Sequence, residues 1–446
     1  MIKNSFLYAK CRKDDTMLRM NRVLKELSEQ NEPIKVAIIG AGKMGRGLVN
    51  QMTKIKGMIP SIVVNRNVEK AIYALELAGI RKEDIAISNS VSETNVFIEK
   101  GKYVVSEYID IAVKANEIQA VVDATGVPEA GAEIAMASIK NHKHIIMLNV
   151  EADSVVGPIL YRYAKEEGVV YTGTAGDEPG AAIELYDFAV GLGFEVLAMG
   201  KGKNNPVDFS ANPDTVYKEA IKKELKPNML VGFIDGTNTM IELNCMANAT
   251  GFVPDIRGCH GIESNIDDLK DYLRLKKDGG VLENFYTVDY VRGIAPGVYL
   301  LFTTDLEEIH SQLEYLKMGS GPNYVLYRPY HLTSLETPLT IFDACINNES
   351  TIAPICGAVA DTITVAKKDL KAGDTLDGIG GYTVYGSLEK HEIAKSENLV
   401  PIGLINDRTI INRDVKKGEF ITYDMIELDK STLLYKLRQK QENGNL

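Results

Sequence analysis

The sequence predicts an α/β chain in three parts: a helix-covered parallel sheet over 17–200, a central α+β domain over 201–350, and a small β domain over 351–446. Three observations carry this. Apolar β-type runs alternate with helical patterns through the first part, long helical stretches with Gly/Pro turns replace them after Gly200, and short strands follow Pro354. At 446 residues the chain is too long for one core, so several domains are expected.

A helical pattern over Met17–Leu27 leads into strands expected at 35–40, 61–65, 103–106, 119–124, 144–149, 168–172 and 194–199, with helices such as 129–141 and 180–191 between them. The polar segment 89–118 reads as an insertion near the adenosine end. The first strand breaks into Gly40-Ala-Gly42-Lys43-Met44-Gly45 and then opens a helix. In such a turn Gly40 bends the chain, Gly42 admits a pyrophosphate and Gly45 lets helix meet strand, so amide N–H groups and the helix dipole face an anion. The run predicts a Rossmann-type dinucleotide seat that includes Lys43 and Met44. The second strand ends in Asn65-Arg66, where a carboxylate would select NAD. A neutral Asn65 and a cationic Arg66 favour NADP(H), with Arg66 on the adenine or the 2′-phosphate.

Later strand ends add polar groups at the same rim. Thr125 and the Gly126 amide follow the 119–124 strand and are expected near the nicotinamide ribose. Asn149 either hydrogen-bonds the nicotinamide part or caps the helix after it; Glu151 either orients a substrate hydroxyl or, with Asp153, is a first-turn acid. Asp177 and Glu178 precede Pro179 and read as capping acids, or else as acids that face the nicotinamide.

In the central part, Lys201 and Lys203 stand two apart between glycines as a strand exits, which sends both ammonium groups to one face for proton transfer or phosphate binding. Asp235 and Glu242 flank a turn-to-helix junction; beside two lysines they suit acid/base work or a divalent metal, or else a capped helix with a surface acid. Candidate metal ligands are Glu151, Asp235 and Glu242. The loop Gly319-Ser320-Gly321-Pro322-Asn323-Tyr324 with Arg328 has the make-up of a phosphate nest or of a surface turn. His260 beside Cys259 has no second ligand at metal spacing.

Hydrophobic content of 45% and charged content of 25% are those of an ordinary globular protein, and a net charge of -11 argues against a nucleic-acid surface. Five cysteines without a C-x-x-C pair suggest reduced thiols, and no stretch approaches a membrane span, so a cytoplasmic protein is expected. The last part repeats an element: Asp369-Leu-Lys-Ala-Gly373 is echoed by Asp414-Val-Lys-Lys-Gly418.

These motifs resemble a known family. The glycine turn, Asp123–Gly126, Gly200–Lys203 and Gly236-Thr237 look like the homoserine dehydrogenase type of fold, and the doubled C-terminal element is similar to a SAF (β-clip) domain. From about Glu32 onward the chain resembles the SAF-domain, homoserine-dehydrogenase-like oxidoreductases, which include the deoxyxylulose-phosphate reductoisomerase-like (DRL) enzymes of isoprenoid biosynthesis. The stretches that carry this are Phe233–Thr237, Glu242, Ala247–Gly251, Tyr290–Gly293, Ala295–Gly297, Gly321–Tyr324, Tyr327–Leu332 and Ala366–Gly373. The resemblance implies a homodimer using NADPH, a divalent cation such as Mg²⁺ or Mn²⁺, and a phosphosugar whose skeleton rearranges to an aldehyde that hydride then reduces. It further implies that Lys201 or Lys203 handles the proton and that the 319–324 loop with Arg328 holds the phosphate. One departure stands out: homoserine dehydrogenases carry Thr-Ala-Asn-Lys at the strand end, whereas this chain has Asn149-Val150-Glu151. The missing amine argues against homoserine itself. The rival expectations are a dehydrogenase of a small hydroxy acid or polyol, and a non-catalytic dinucleotide-sensing or sugar-binding protein.

Overall fold

The structure is a computed structural model that describes residues 19–444. Cys11 and the first two residues of the expected opening helix lie outside the described residues; the helix described there is Met20–Glu29. Strands β1 (Ile34–Ile39), β2 (Met58–Val64), β3 (Ile85–Ile87), β4 (Tyr103–Ser106), β5 (Ala120–Asp123), β6 (His144–Met147) and β7 (Tyr171–Gly173) form a parallel sheet in the order 3-4-2-1-5-6-7. Residues of β1 alternate between two cores: Ala37 and Ile39 pack on one side, Val36 and Ile38 on the other. Burial on both faces is what an all-parallel sheet requires. The chain leaves β1 for β2 on one side and later returns to β5 on the other, which opens a crevice at their carboxyl ends.

Two sequence expectations need correction here. Segment 89–118 is no insertion: the helix Val91–Glu99, β4 and the helix Ile109–Lys114 build that edge of the sheet, with the short strand β3 beside β4. The strand expected at 194–199 belongs to a different sheet. As β8 (Glu195–Lys203) it pairs with β9 (Thr287–Arg292) and β10 (Val298–Thr303), and β11 (Tyr324–Arg328) completes the order 11-10-8-9. A boundary at 200 would cut β8. The helix Glu178–Gly191 already packs on this second sheet through Ala181, Ala182 and Ala189, so the central part begins before it.

The helix Thr237–Thr250 lies at the junction of all three parts, its Met240, Leu243 and Met246 in the core that covers β8 and β10. Beside it, Pro213–Lys222 and Pro227–Ile234 form a helical hairpin with a small core of its own around Val216, Ala220, Leu230 and Val231. Asn212 caps the first of these helices in a reciprocal capping box with Thr215.

Beyond Pro354 the main pair is β12 (Ala360–Ala366) with β13 (Val384–Lys390), antiparallel. The two repeat copies clasp each other. Leu370 and Val415 exchange N–H···O bonds of 2.8 and 3.0 Å, Asp369 accepts from the Lys417 N–H at 2.9 Å, and Asp414 accepts from the Ala372 N–H at 3.1 Å. Each copy's aspartate thus ties down the other's turn, which Gly373 and Gly418 close at φ values of 92° and 85°. Most of this part's apolar interior is shared: Leu370, Leu376, Val400 and Val415 join the cluster that covers one face of the first sheet, while Ile363, Ala394 and Leu399 form a small cluster of their own. The chain there is not all short strands, because it ends in the helix Leu433–Asn443 packed on that same cluster through Leu434 and Leu437.

Candidate active site

The glycine turn has the expected backbone. Gly40 has φ 108°, and a Cβ there would stand 2.6 Å from the Ala124 carbonyl oxygen; one on Gly45 would stand 1.8 Å from the Gly40 oxygen. At Gly42, which opens the helix Lys43–Met52, a Cβ would meet nothing within 4 Å. Packing therefore demands the outer two glycines, while the middle one borders open space facing the first-turn amides, as a bound phosphate needs. Asn65 braces this turn from behind: its Oδ1 accepts from the Ala41 N–H at 3.1 Å and its Nδ2 donates to Asn67 O at 2.7 Å. Arg66 is exposed just past β2, with no hydrogen bond or ion pair to another described residue.

At the β5 rim, Thr125 donates to Asp123 Oδ1 through both Oγ1 (2.7 Å) and its N–H (2.9 Å). Asn149 is fully buried. Its Nδ2 donates to Asp123 Oδ2 (2.8 Å) and Val127 O (2.9 Å), and its Oδ1 caps the helix Val150–Glu166 by accepting from the Ala152 N–H. Of the two readings of Asn149 the helix cap is the one observed, and with its polar atoms engaged it sets the Thr125–Gly126 turn. Glu151 does face the cleft. Burial, reinforced by the Asp123 carboxylate, raises its pKa to about 7.

The cleft, about 970 Å³, lies between the two sheets and is bordered by Met44, Gly126, Glu151, Lys201, Lys203 and the hairpin. Both lysines of β8 point into it. The glycines that alternate with them serve another purpose than leaving room for substrate: a Cβ on Gly200 or Gly202 would collide with Asp289 O or Ala295 N on the opposite face. Lys201, 6% exposed, has its ammonium 2.7 Å from Glu178 Oε1 and in contact with Glu242 Oε2. Burial alone would favour the neutral amine, but the two carboxylates outweigh it and hold Lys201 charged. Lys203, also buried, donates to Phe233 O at 2.6 Å, and burial together with the Lys201 charge lowers its pKa to about 8.

Asp177, Glu178 and Glu242 each bring a carboxylate oxygen within 4.8 Å of the others. Asp177 stands at the N-cap of the Glu178–Gly191 helix without making a side-chain cap bond, so the capping reading of the sequence is corrected: both acids turn inward. Burial and the neighbouring Glu178 charge raise Asp177 to about 8 and push Glu242 well above the carboxylate range. Glu178 goes the other way, to about 2, because Lys201 and His331 overcome its burial. His331, at 3.4 Å from Glu178 Oε1, has its Nδ1 3.0 Å from Gly176 O. A carbonyl only accepts, so Nδ1 carries the proton and Nε2 faces the acids. Asn238 Nδ2 donates to Glu242 Oε1 at 2.6 Å.

Sequence reasoning named Lys201, Lys203, Glu151 and Glu242, ranked Asp177 and Glu178 as caps ahead of a place in the cleft, and gave His331 no role. It also included residues that lie elsewhere. Asp235 is fully buried in an ion pair with Lys367 (2.7 Å) from the C-terminal part, and its Oδ1 accepts from the Thr237 N–H; it is a structural anchor and no part of the carboxylate cluster. Asp235→Asn is expected to destabilise the fold by ~3–5 kcal/mol, the cost of leaving a buried charge alone, as measured by urea unfolding. The 319–324 loop is at the wrong end of the second sheet. Tyr324 pairs with Phe302, which pairs with Val196, whereas Lys201 pairs with Val298; at about 3.3 Å per residue the separation is on the order of 15–20 Å. Tyr324 is buried in the core with its OH 2.7 Å from His310 Nδ1, Asn323 is buried, and Ser320 and Gly321 sit on that distant turn. Arg328 is at the near end, but Glu184 (2.8 Å) and Glu336 (2.5 Å) take its guanidinium. His260 has Asp255 as its partner at 2.8 Å and lies outside the cleft lining.

Among the described residues no helix is long and apolar enough to cross a membrane. Residues 176–337 match the family described as oxidoreductase DRL, catalytic domain. These bounds run from the turn before the Glu178–Gly191 helix to the end of the segment after β11, and so enclose the second sheet. No curated protein matches the chain. Similar solved structures include a probable dehydrogenase from Thermotoga maritima (14% identity, 72% of this chain and 91% of that chain, TM-score 0.40). Another is the myo-inositol dehydrogenase from Lactobacillus casei in complex with NAD(H) and myo-inositol (14% identity, 46% and 55% covered, TM-score 0.30). Over 176–337 the chain is thus similar to an oxidoreductase catalytic domain, and this segment faces a Rossmann-type sheet of the dinucleotide-binding kind.

Proposed function

We propose that the chain is an NADPH-dependent reductoisomerase of deoxyxylulose phosphate or a related phosphosugar, working as a homodimer. The observation that carries this reading is the meeting of a buried acid cluster, a fixed ammonium and a titratable Lys203 at the rim that the glycine turn faces. The turn suits a dinucleotide because the space over Gly42 is open where the first-turn amides point. The acid cluster suits a hard divalent cation: it offers three oxygen donors, and the burial and the Glu178 charge that raise Asp177 and Glu242 are costs of ionisation that a bound cation would offset.

Asp177, Glu178 and Glu242 would hold Mg²⁺ or Mn²⁺, which when bound would supply polarisation of the substrate oxygens as NADPH would supply hydride. Lys203 Nζ holds the proton that the reduced oxygen needs. Glu151, with a pKa near neutrality, takes or returns a hydroxyl proton during rearrangement. Lys226 of the hairpin borders the cleft and is the cation for a substrate phosphate, in place of the distant 319–324 loop, with Lys223 beside it paired to Glu219 at 2.7 Å. The test is NADPH oxidation with deoxyxylulose phosphate and Mn²⁺, followed by product identification; no turnover would reject the reading in favour of a dinucleotide sensor. Cofactor choice has its own test: Arg66→Ala is expected to weaken NADPH by ~1–3 kcal/mol while sparing NADH, in a fluorescence titration.

A second reading, a dehydrogenase of a polyol or hydroxy acid without rearrangement, is favoured by one feature. Lys201 already occupies Glu178 and Glu242, so the cluster is partly neutralised without a metal. Turnover that survives chelation would select it.

A further inference from the structure

The helix Val150–Glu166 carries Glu151 in its first turn, but Pro158 interrupts it. A proline there has no N–H to give and crowds the turn before it. The C-terminal helix Leu433–Asn443 docks at this point. Gln441 Oε1 accepts from the Ile159 N–H at 3.1 Å, while Gln441 Nε2 and Arg438 Nη1 each donate to Val155 O at 3.2 Å. Both side chains are buried, and Arg438 is fixed by a two-bond pairing with Asp361 at 2.7 and 2.9 Å. The same C-terminal helix starts on the cofactor rim: the Glu129 carboxylate, three residues past Gly126, accepts from the Leu433 and Leu434 N–H groups at 2.7 and 2.9 Å.

We propose that the C-terminal helix is a positioning element of the active cleft. Through Gln441 it completes the proline-interrupted helix, and so holds the Asn149-capped turn that presents Glu151. A buried amide that pairs with both a main-chain donor and a main-chain acceptor of one helix fixes that helix in rotation as well as position. Only the kinetic arm of the test rests on the function proposed above.

The test is amide hydrogen exchange on the full chain, comparing Gln441→Met with Leu437→Ala. Leu437 is buried in the same helix, so its truncation loosens the helix while keeping Gln441. Gln441→Met is expected to raise exchange over 150–159 by about tenfold, a lost buried hydrogen bond on each side of the contact, with β5 unchanged. Leu437→Ala should raise exchange over 433–443 and leave 150–153 as in the wild type. Gln441→Glu keeps the acceptor for Ile159 beside Arg438 but gives up the donor to Val155 O, so it should restore protection only in part, and it serves as the second variant should the methionine variant fold poorly. Unchanged exchange over 150–159 in Gln441→Met, or the same pattern in both truncations, would overturn the proposal. In the kinetic arm, kcat falls in Gln441→Met while the NADPH Kd holds; equal losses of kcat in Leu437→Ala would also overturn it. A wild type without turnover would sink the functional reading and leave the exchange result to decide this one.

Discussion

Lys203→Met should lower kcat by ~10²–10⁴-fold while leaving the NADPH Kd within about twofold of the wild type, because only the proton donor is lost. The sign of the pH dependence follows from its pKa of about 8. Below that value Nζ is protonated and can donate to the oxygen of a carbonyl under reduction, so the Lys203 contribution to kcat in the reductive direction is nearly complete at pH 7 and falls as pH rises through 8. In the reverse direction the amine must be free, and kcat rises over the same window. Lys203→Met should abolish both limbs. Lys201 cannot substitute, since Glu178 and Glu242 hold it charged through this range. A kcat profile for the methionine variant with the alkaline limb intact would remove Lys203 from the proton path.

Glu242→Gln is the second large effect expected. It replaces one of three converging carboxylates, and one of the two on Lys201, by a neutral amide. Turnover should drop by roughly 100-fold or more at fixed Mn²⁺ and recover in part at higher Mn²⁺, while exhaustive chelation of the wild type stops the reaction. Direct Mn²⁺ binding, followed by electron paramagnetic resonance in the absence of substrate, should weaken in parallel. Wild-type binding strength in the variant would mean that Glu242 serves Lys201 alone.

The sequence made the first sheet and its glycine turn readable because each requirement there is local: Gly40, Gly42 and Gly45 answer to neighbours a few residues away. Lys201 and Lys203 were readable for the same reason, since strand alternation alone puts both on one face. Contacts set by distant partners were not readable. Asp177 and Glu178 look chiefly like capping acids until β8 brings Lys201 against them, and Asp235 looks like a site or capping acid until Lys367 arrives from the C-terminal part. The 319–324 loop has the composition of an anion nest, but composition says nothing about which end of an antiparallel sheet a turn occupies; the pairing of β10 with β8 and β11 decided that. Asn149 had two local readings, and the deciding factor was the buried Asp123 carboxylate on the neighbouring strand. β8 itself was assigned to the first sheet because its apolar run does not encode its neighbours. The terminal helix Leu433–Asn443 is short and polar, and its place is set by Asp361, Glu129 and the Pro158 interruption, none of which is near it in sequence.

The central claim is that a reduced nicotinamide lies over the β1–β5 crevice and faces Lys203 and the acid cluster. A crystal structure of the NADPH complex tests it most directly. The pyrophosphate should sit on the amides after Gly42, and the nicotinamide ring should lie between Gly126 and the Lys203 ammonium. A cofactor bound elsewhere, or one whose nicotinamide points away from Lys203 with Asp177, Glu178 and Glu242 closed off behind protein side chains, would contradict the account.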